Sequence, residues 1–145
     1  MLKPMLKIEH LTKTYGGKPA VQDLCLHIRP GELCAFIGHN GAGKTTLLSL
    51  ITGLLKEQHG RMLFDGEALS VRQRRALSYL VLQDTDYQLF AASVEEELSL
   101  GHRDDVSEKI ERVLAELGLS DYRAVHPAAL SGGQKQRVTI GAAIV

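Results

Sequence analysis

Hydrophobic and polar positions alternate along two early segments of the chain, residues 6–12 and 20–28, with the glycine-rich stretch 15–19 between them. Alternation with a period of two is typical of a strand with one buried face, so these segments predict two antiparallel strands joined by a tight turn. Residues 33–37 are apolar without alternation. That pattern is typical of a strand buried on both faces, and it follows a turn at residues 30–32.

The apolar spacing changes after residue 46 and predicts a mostly buried helix, carried by Leu47, Leu48, Leu50, Ile51 and Leu54. Residues 61–64 then predict a strand that enters a tight turn at Asp65-Gly66. Residues 77–82 predict another strand. The first part of the chain is therefore expected to be rich in strands around one buried helix.

The second half is patterned for helices. Ser93 and Glu96 have the spacing of a capping box, so a helix is expected to begin there. Ser107 predicts the start of a second helix that ends at Gly118, and Ser131 predicts a third from about residue 133 to residue 145. The apolar face of the second helix is formed by Ile110, Val113, Leu114 and Leu117.

Composition places the chain among globular proteins. It has 145 residues, 44% hydrophobic and 23% charged, with 17 Lys+Arg against 17 Asp+Glu. These values argue against disordered, collagen-like and disulfide-scaffold classes. A net charge of zero gives no support for nucleic acid or an anionic membrane surface as a partner, since both call for a basic excess. We expect a strand-rich part over about 1–82 and a helical part over about 83–145.

The two cysteines fit no zinc or redox spacing. Cys25 and Cys34 are interpreted as small buried hydrophobic residues in a reducing compartment, which favours a cytoplasmic protein. No apolar stretch approaches the length of about 20 residues that spans a bilayer. If the protein works at a membrane, we expect another chain to anchor it.

Residues 38–45 match the pattern G-x-x-x-x-G-K-[ST] between a predicted buried strand and a predicted apolar helix, which is the context of a P-loop. Glycines let backbone N–H groups turn inward as an anion nest. Lys44 is predicted to reach the β and γ phosphates, and the Thr45 hydroxyl to coordinate Mg²⁺. The alternative is a glycine-rich turn that binds nothing. The predicted nucleotide contacts are Gly38, His39, Asn40, Gly41, Ala42, Gly43, Lys44, Thr45 and Thr46.

A P-loop alone leaves kinases and GTPases open, but a second motif, Leu130-Ser131-Gly132-Gly133-Gln134, resembles the signature of the nucleotide-binding subunit of ATP-binding cassette (ABC) proteins. A serine and two glycines at a helix start can form a further anion site. Ser131, Gly132, Gly133 and Gln134 are therefore predicted to contact nucleotide. The alternative is a helix cap without a ligand.

The resemblance extends along the chain and implies further roles. Tyr15 lies where the family stacks an aromatic ring on adenine, and Gln83 lies where the family has a glutamine on Mg²⁺. Residues 84–97 resemble the segment of energy-coupling-factor and cobalt-type importers. The alternatives are an ordinary aromatic at a strand end for Tyr15, a plain polar residue for Gln83, and a solvated acidic helix start for 84–97.

The resemblance implies an α/β P-loop NTPase of ABC type, with an antiparallel β subdomain, a partial parallel core sheet and a helical signature subdomain. It also implies ATP and Mg²⁺ as ligands, a nucleotide-dependent dimer in which each P-loop faces the partner's signature, and attachment to a membrane subunit at the inner face of the cell membrane. Lys44 and Gln83 are the expected catalytic residues of an ATPase.

The family pattern has a later strand that ends in Asp and Glu, and a later histidine, and none of the 145 residues matches them. We therefore expect a C-terminally incomplete domain that binds nucleotide but hydrolyses it poorly on its own. Two alternatives stay open: a non-hydrolysing nucleotide-binding module, and a soluble ABC protein of DNA repair or translation.

Overall fold

The computed structural model describes residues 6–82 and 84–145. The chain divides into two compact units, Met1–Tyr79 and Leu80–Val145, which are described separately.

The first unit is built on an antiparallel sheet. Its described strands are β1 (Leu6–Tyr15), β2 (Lys18–Ile28), β3 (His59–Phe64) and β4 (Glu67–Ala68), in the order β2-β1-β3-β4. Leu6 of β1 pairs with Ile28 on one side and Phe64 on the other. The predicted hairpin is confirmed, since Gly16 and Gly17 carry the turn with φ of 55° and 81°.

Two helices accompany the sheet: α1 (Lys44–Ile51) and α2 (Val71–Leu77). The predicted helix after residue 46 is confirmed, but only its Leu47 and Leu50 are buried, whereas Leu48 is exposed and Leu54 lies beyond the helix. The core of the unit is formed by Ile8, Leu11, Val21, Leu47, Leu50 and Met62. Arg74 of α2 is buried beside this core, where its guanidinium donates to the Leu50 carbonyl at 2.8 Å and to Glu57 at 2.6 Å. It fixes the end of α1 to α2, because a buried charge is stable only with such partners.

An ion-pair cluster lies on the exposed side of the sheet. Lys7 and Arg61 both bond to the Glu9 carboxylate, Arg61 through Nε at 2.6 Å. The hydrogen bond from Lys7, followed by the one from Arg61, lowers the pKa of Glu9 from 4.5 to about 2. The folded unit therefore stabilises the ionised carboxylate.

The two strands predicted at 33–37 and 77–82 are not formed, so the described residues contain no parallel sheet. Leu33 and Ile37 are 98% and 95% exposed. A strand of this apolar type needs ladder partners and cover on both faces, and residues 33–37 have neither within the described chain. Residue 77 instead ends α2, whose start is fixed by a capping box between Ser70 and Gln73.

The second unit is helical. It contains α3 (Val94–Ser99), α4 (Ser107–Glu116) and α5 (Gly132–Ile144), with 3-10 turns at Thr85–Tyr87, Ser120–Tyr122 and Pro127–Ala129. Its core is formed by Val94, Leu98, Ile110, Val113, Leu114, Leu119, Leu130, Val138 and Val145. The predicted apolar face of α4 is confirmed by the burial of Ile110, Val113 and Leu114.

The predicted helix starts are correct at two positions and wrong at one. Ser131 caps α5, and Ser93 caps α3 by accepting from the Glu96 N–H at 3.2 Å. The return bond of Glu96 goes to the N–H of Ala92 rather than Ser93, so this capping box is not closed. Ser107 is the first residue of α4 and not its cap, because the Asp105 carboxylate accepts from its N–H at 2.9 Å.

The interpretation of the cysteines as buried is wrong. Cys25 and Cys34 are both exposed free thiols. Cys25 lies on the sheet with its sulfur accepting from the His10 N–H at 3.3 Å, and Cys34 lies in the unpaired segment 33–37. Among the described helices, none combines the length and apolar character that crossing a bilayer requires.

Candidate functional site

The loop 38–43 takes its shape from two glycines in the left-handed region. Gly41 has φ 87° and Gly43 has φ 86°, whereas Gly38 does not have a positive φ. A Cβ on Gly43 would lie 2.1 Å from the carbonyl oxygen of Ala20, so the loop packs directly against the backbone of β2. Only glycine fits there, since any side chain would displace the loop from the sheet.

Lys44 lies across this loop. Its Nζ donates to the carbonyl oxygens of Gly38 at 2.6 Å and His39 at 2.8 Å. These bonds hold the ammonium group over the loop that the sequence predicts to receive phosphates. The arrangement places a positive charge on the loop where the sequence predicts an anion to bind. That Lys44 reaches the phosphates stays a prediction.

The start of α1 completes the arrangement. Gly43 is its N-cap and supplies no side-chain acceptor, and the first turn contains no acidic residue. Because the first N–H groups of a helix have no partner within it, the amides of residues 44–46 are left for an external acceptor. With the positive end of the helix dipole, they favour an anion.

The donor set suits ATP with Mg²⁺. Thr45 is exposed on the first turn, and a hydroxyl beside bound phosphates is a type of ligand that Mg²⁺ accepts. No group of three His, Cys, Asp or Glu in the described chain could hold a metal ion alone. Gln83, the other predicted ligand, lies outside the described residues.

A cleft of about 470 Å³ adjoins the loop. Its walls come from β2, from segment 35–37 and from the start of α1, and include Val21, Ile37, Gly43 and Lys44. Tyr15 lies at the end of β1, half-exposed, with the Lys13 Nζ 5.6 Å from its ring centroid. Its ring is thus accessible, and its stacking on adenine stays a prediction.

The signature residues in the second unit form the start of α5. Ser131 and Gln134 close a capping box in which Ser131 Oγ accepts from the Gln134 N–H at 3.4 Å and Gln134 Oε1 accepts from the Ser131 N–H at 2.8 Å. Gly132 and Gly133 are exposed, and a Cβ on either would meet nothing within 4 Å. Within this unit neither glycine is required by packing. Their absence of side chains leaves the helix start open to an external group.

The acidic segment 84–97 is not simply solvated. Glu97 is 5% exposed, and its carboxylate accepts from the N–H groups of Phe90 and Ala91, both at 2.7 Å. A solvated acidic helix start, the alternative given for this segment, does not fit Glu97. Its position three residues after the buried Val94 was the available signal, since that spacing returns to the same helix face.

Two ion-pair interactions of the second unit are not predicted by the sequence. Lys135 of α5 forms an ion pair with Asp86, Nζ to Oδ1 at 2.6 Å. Arg123 bridges Glu95 of α3 and Glu111 of α4, each at 2.6 Å. The hydrogen bond from Arg123 lowers the pKa of Glu95. No sequence signal pointed to either interaction, because the partners are separated by 12 to 49 residues along the chain.

Comparison with known proteins agrees with this geometry. The family model for the ABC transporter matches residues 21–145, so the chain belongs to the ABC transporter family, whose nucleotide-binding domain binds ATP. A putative ABC transporter ATP-binding protein of Treponema denticola is 41% identical over 95% of this chain and 28% of its own length. The cobalt import ATP-binding protein CbiO of Rhodobacter capsulatus is 41% identical over 99% of this chain and 55% of its own length.

A solved structure shows the same fold. The cbiO1 protein from Clostridium perfringens, described as part of the ABC transporter complex cbiONQ, has a TM-score of 0.86 at 33% identity. The match covers 97% of this chain and 61% of that protein. The predicted α/β fold of ABC type is therefore confirmed. The chain spans less than two thirds of the length of each of these relatives.

Proposed function

We propose that the complete protein is the ATP-binding subunit of an ABC importer, which couples binding and hydrolysis of ATP to uptake of a solute. The observation that carries this proposal is the loop 38–46, where Lys44 lies over the two carbonyls at 2.6 and 2.8 Å and the start of α1 has no cap from the protein. Family membership supports it.

Binding and hydrolysis call for different groups. The loop provides amides, an ammonium and a hydroxyl for phosphates and for Mg²⁺ at Thr45, with Gln83 as the second proposed ligand. Activating the attacking water needs a base or a water-positioning group. The loop contains no Asp or Glu, so hydrolysis is proposed for the complete protein, with Lys44 and Gln83 as its catalytic residues in this chain.

The partners are proposed from the site and the relatives. The open start of α5 has a form that suits a phosphate, and we propose that it serves ATP held by a second ABC domain in a dimer. A membrane subunit is supported by the cbiO1 relative, which is described as part of a transporter complex. We place the protein on the cytoplasmic face of that subunit. Cobalt import by the CbiO relative and the resemblance of segment 84–97 support a metal ion or vitamin as solute.

The test is substitution of Lys44 in the complete protein. Lys44→Ala is expected to abolish Mg²⁺-dependent release of phosphate from ATP, because the phosphates lose their cation. Lys56→Ala, which removes an exposed lysine outside the loop, is the matched control and should retain wild-type turnover. Unchanged turnover in Lys44→Ala would refute the proposal. Thermal protection of the wild type by ATP and Mg²⁺ without phosphate release would indicate the non-hydrolysing module.

A further inference from the structure

The ion pair between Lys135 and Asp86 joins the first turn of α5 to the 3-10 turn Thr85–Tyr87. We propose that this pair is a positioning device: it sets the orientation of the open helix start at Ser131–Gly133, and so controls how well that start meets nucleotide. The inference rests on the proposed function, because it assumes that this helix start faces ATP. Asp86 and Lys135 would then influence the ATP site indirectly, by orienting the first turn of α5.

The start of α5 is poorly supported by its own sequence. Gly132 and Gly133 occupy its first two positions, and glycine is among the least favourable residues inside a helix. The first turn contains no acidic residue. Lys135 follows at the fourth position, where a positive side chain is unfavourable beside the positive end of the helix dipole. Apart from the capping box of Ser131 and Gln134, the stability of this turn therefore depends on a contact with residues outside α5.

Asp86 supplies that anchor. The Lys135 side chain is 16% exposed, and its Nζ lies 2.6 Å from Asp86 Oδ1, so the carboxylate neutralises a charge that is largely removed from water. Such a charge is costly without a partner. We therefore assign it to holding the helix.

The turn that carries Asp86 is itself held in place. The Asp84 carboxylate accepts from the Asp86 N–H at 3.2 Å, and the Gln88 N–H donates to the Thr85 carbonyl at 3.0 Å. The Gln88 side chain accepts from the Leu82 N–H at 2.6 Å and donates to the Leu80 carbonyl at 2.7 Å. These bonds, all within residues 80–88, fix the internal shape of the turn.

An open cavity of about 780 Å³ lies against the ion pair and the helix start together. Its lining includes Asp84, Asp86, Gly132, Gly133 and Lys135. A shift of the turn that carries Asp86 is thus expected to move Lys135 and, with it, the two exposed glycines. The pair makes the orientation of the helix start depend on the segment that follows residue 83.

The experiment uses the complete, assembled protein and measures kcat and KM for ATP. Asp86→Asn and Lys135→Met are each expected to lower kcat/KM about tenfold, because misorientation of a positioned group costs the transition state more than binding. Binding of ATP to the P-loop, measured on this chain by calorimetry, should be unchanged. Lys135→Met should shift the melting temperature by less than about 2 °C, since it leaves only the exposed Asp86 without a partner. Asp86→Asn should lower it further, because the largely buried Lys135 ammonium loses its partner.

The reversed pair, Asp86→Lys with Lys135→Asp, restores the attraction and should recover most of kcat/KM. Glu111→Gln is the matched control: it breaks an ion pair of the same length in the same unit, and kcat/KM should not change. If a single variant has a lower melting temperature than expected, the reversed pair separates loss of stability from loss of orientation. A reversed pair that recovers the melting temperature but not kcat/KM would overturn the proposal.

Wild-type kcat/KM in both single variants would also overturn it. Failure of the proposed function would give a different result. The wild type itself would show no ATP turnover that depends on Lys44, and this result would refute both proposals.

Discussion

Two glycines with nearly the same backbone conformation make the packing of the phosphate loop testable. Gly41 and Gly43 have φ of 87° and 86°, but a Cβ on Gly41 would meet nothing within 4 Å, whereas one on Gly43 would lie 2.1 Å from the Ala20 carbonyl oxygen. Both substitutions to alanine impose the same conformational penalty. Gly43→Ala alone adds a collision with the backbone of β2.

The expected costs follow from these contacts. A residue with a side chain in the left-handed region costs roughly 1 kcal/mol, which applies to both variants. Forcing a carbon into a space already filled by backbone adds about 2 kcal/mol, so Gly43→Ala is expected to lose about 3 kcal/mol of unfolding free energy. The difference between the variants, about 2 kcal/mol, corresponds to about 6 °C in melting temperature for a chain of this size.

The assay is urea unfolding followed by circular dichroism, without nucleotide, so that contacts to a ligand do not enter the comparison. Gly41→Ala should lower the urea concentration at the unfolding midpoint slightly, and Gly43→Ala should lower it strongly. The dependence of the unfolding free energy on urea concentration should stay the same in both variants. Equal losses in the two variants would refute the reasoning, because they would show that the loop is not pressed against β2.

Three further substitutions test the two units. Arg74→Met should destabilise the first unit by about 3 kcal/mol, since it leaves the Glu57 carboxylate without its donor and the Leu50 carbonyl with only the Gly53 N–H; a loss under about 1 kcal/mol in urea unfolding would contradict this. Because the folded pKa of Glu9 is lowered from 4.5 to about 2, its stabilisation is complete above pH 4.5 and is lost as the pH falls toward 2. Glu9→Gln should flatten the pH profile of the melting temperature in that range, and an unaltered profile would argue against the cluster. Gly141→Ala should lower the melting temperature by about 3 °C, because a Cβ 2.9 Å from Leu98 and 3.0 Å from Val113 costs more than the better helix propensity of alanine gains; an increase would show that these side chains move aside at a smaller cost than that gain.

Local patterns in the sequence were sufficient for the elements that depend on neighbours along the chain. The hairpin of β1 and β2 follows from alternation and two glycines, and the start of α5 follows from Ser131 and Gln134, three residues apart. The P-loop follows from the residues and spacing of the pattern at 38–45 and from the helix predicted after it. In each case the residues that determine the structure lie within a few positions of one another.

The missed features depend on distant residues or on a competing signal. Residues 33–37 have the composition of a buried strand, but a strand forms only with a partner, which composition does not reveal. Ser70 and Gln73 have the three-residue spacing of a capping box, which is the signal for α2 that the sequence does contain. Asp86 and Lys135 lie 49 residues apart, so nothing local indicates that they meet.

The central claim is that the backbone of the loop and the start of α1 bind the phosphates of ATP. Hydrogen–deuterium exchange at the amides of residues 41–46, with and without ATP and Mg²⁺, tests it most directly, with Lys44→Ala as the control. We expect slower exchange at these amides in the wild type on addition of ATP and no change in Lys44→Ala. Unchanged exchange at 41–46 in a wild-type protein saturated with ATP would contradict it.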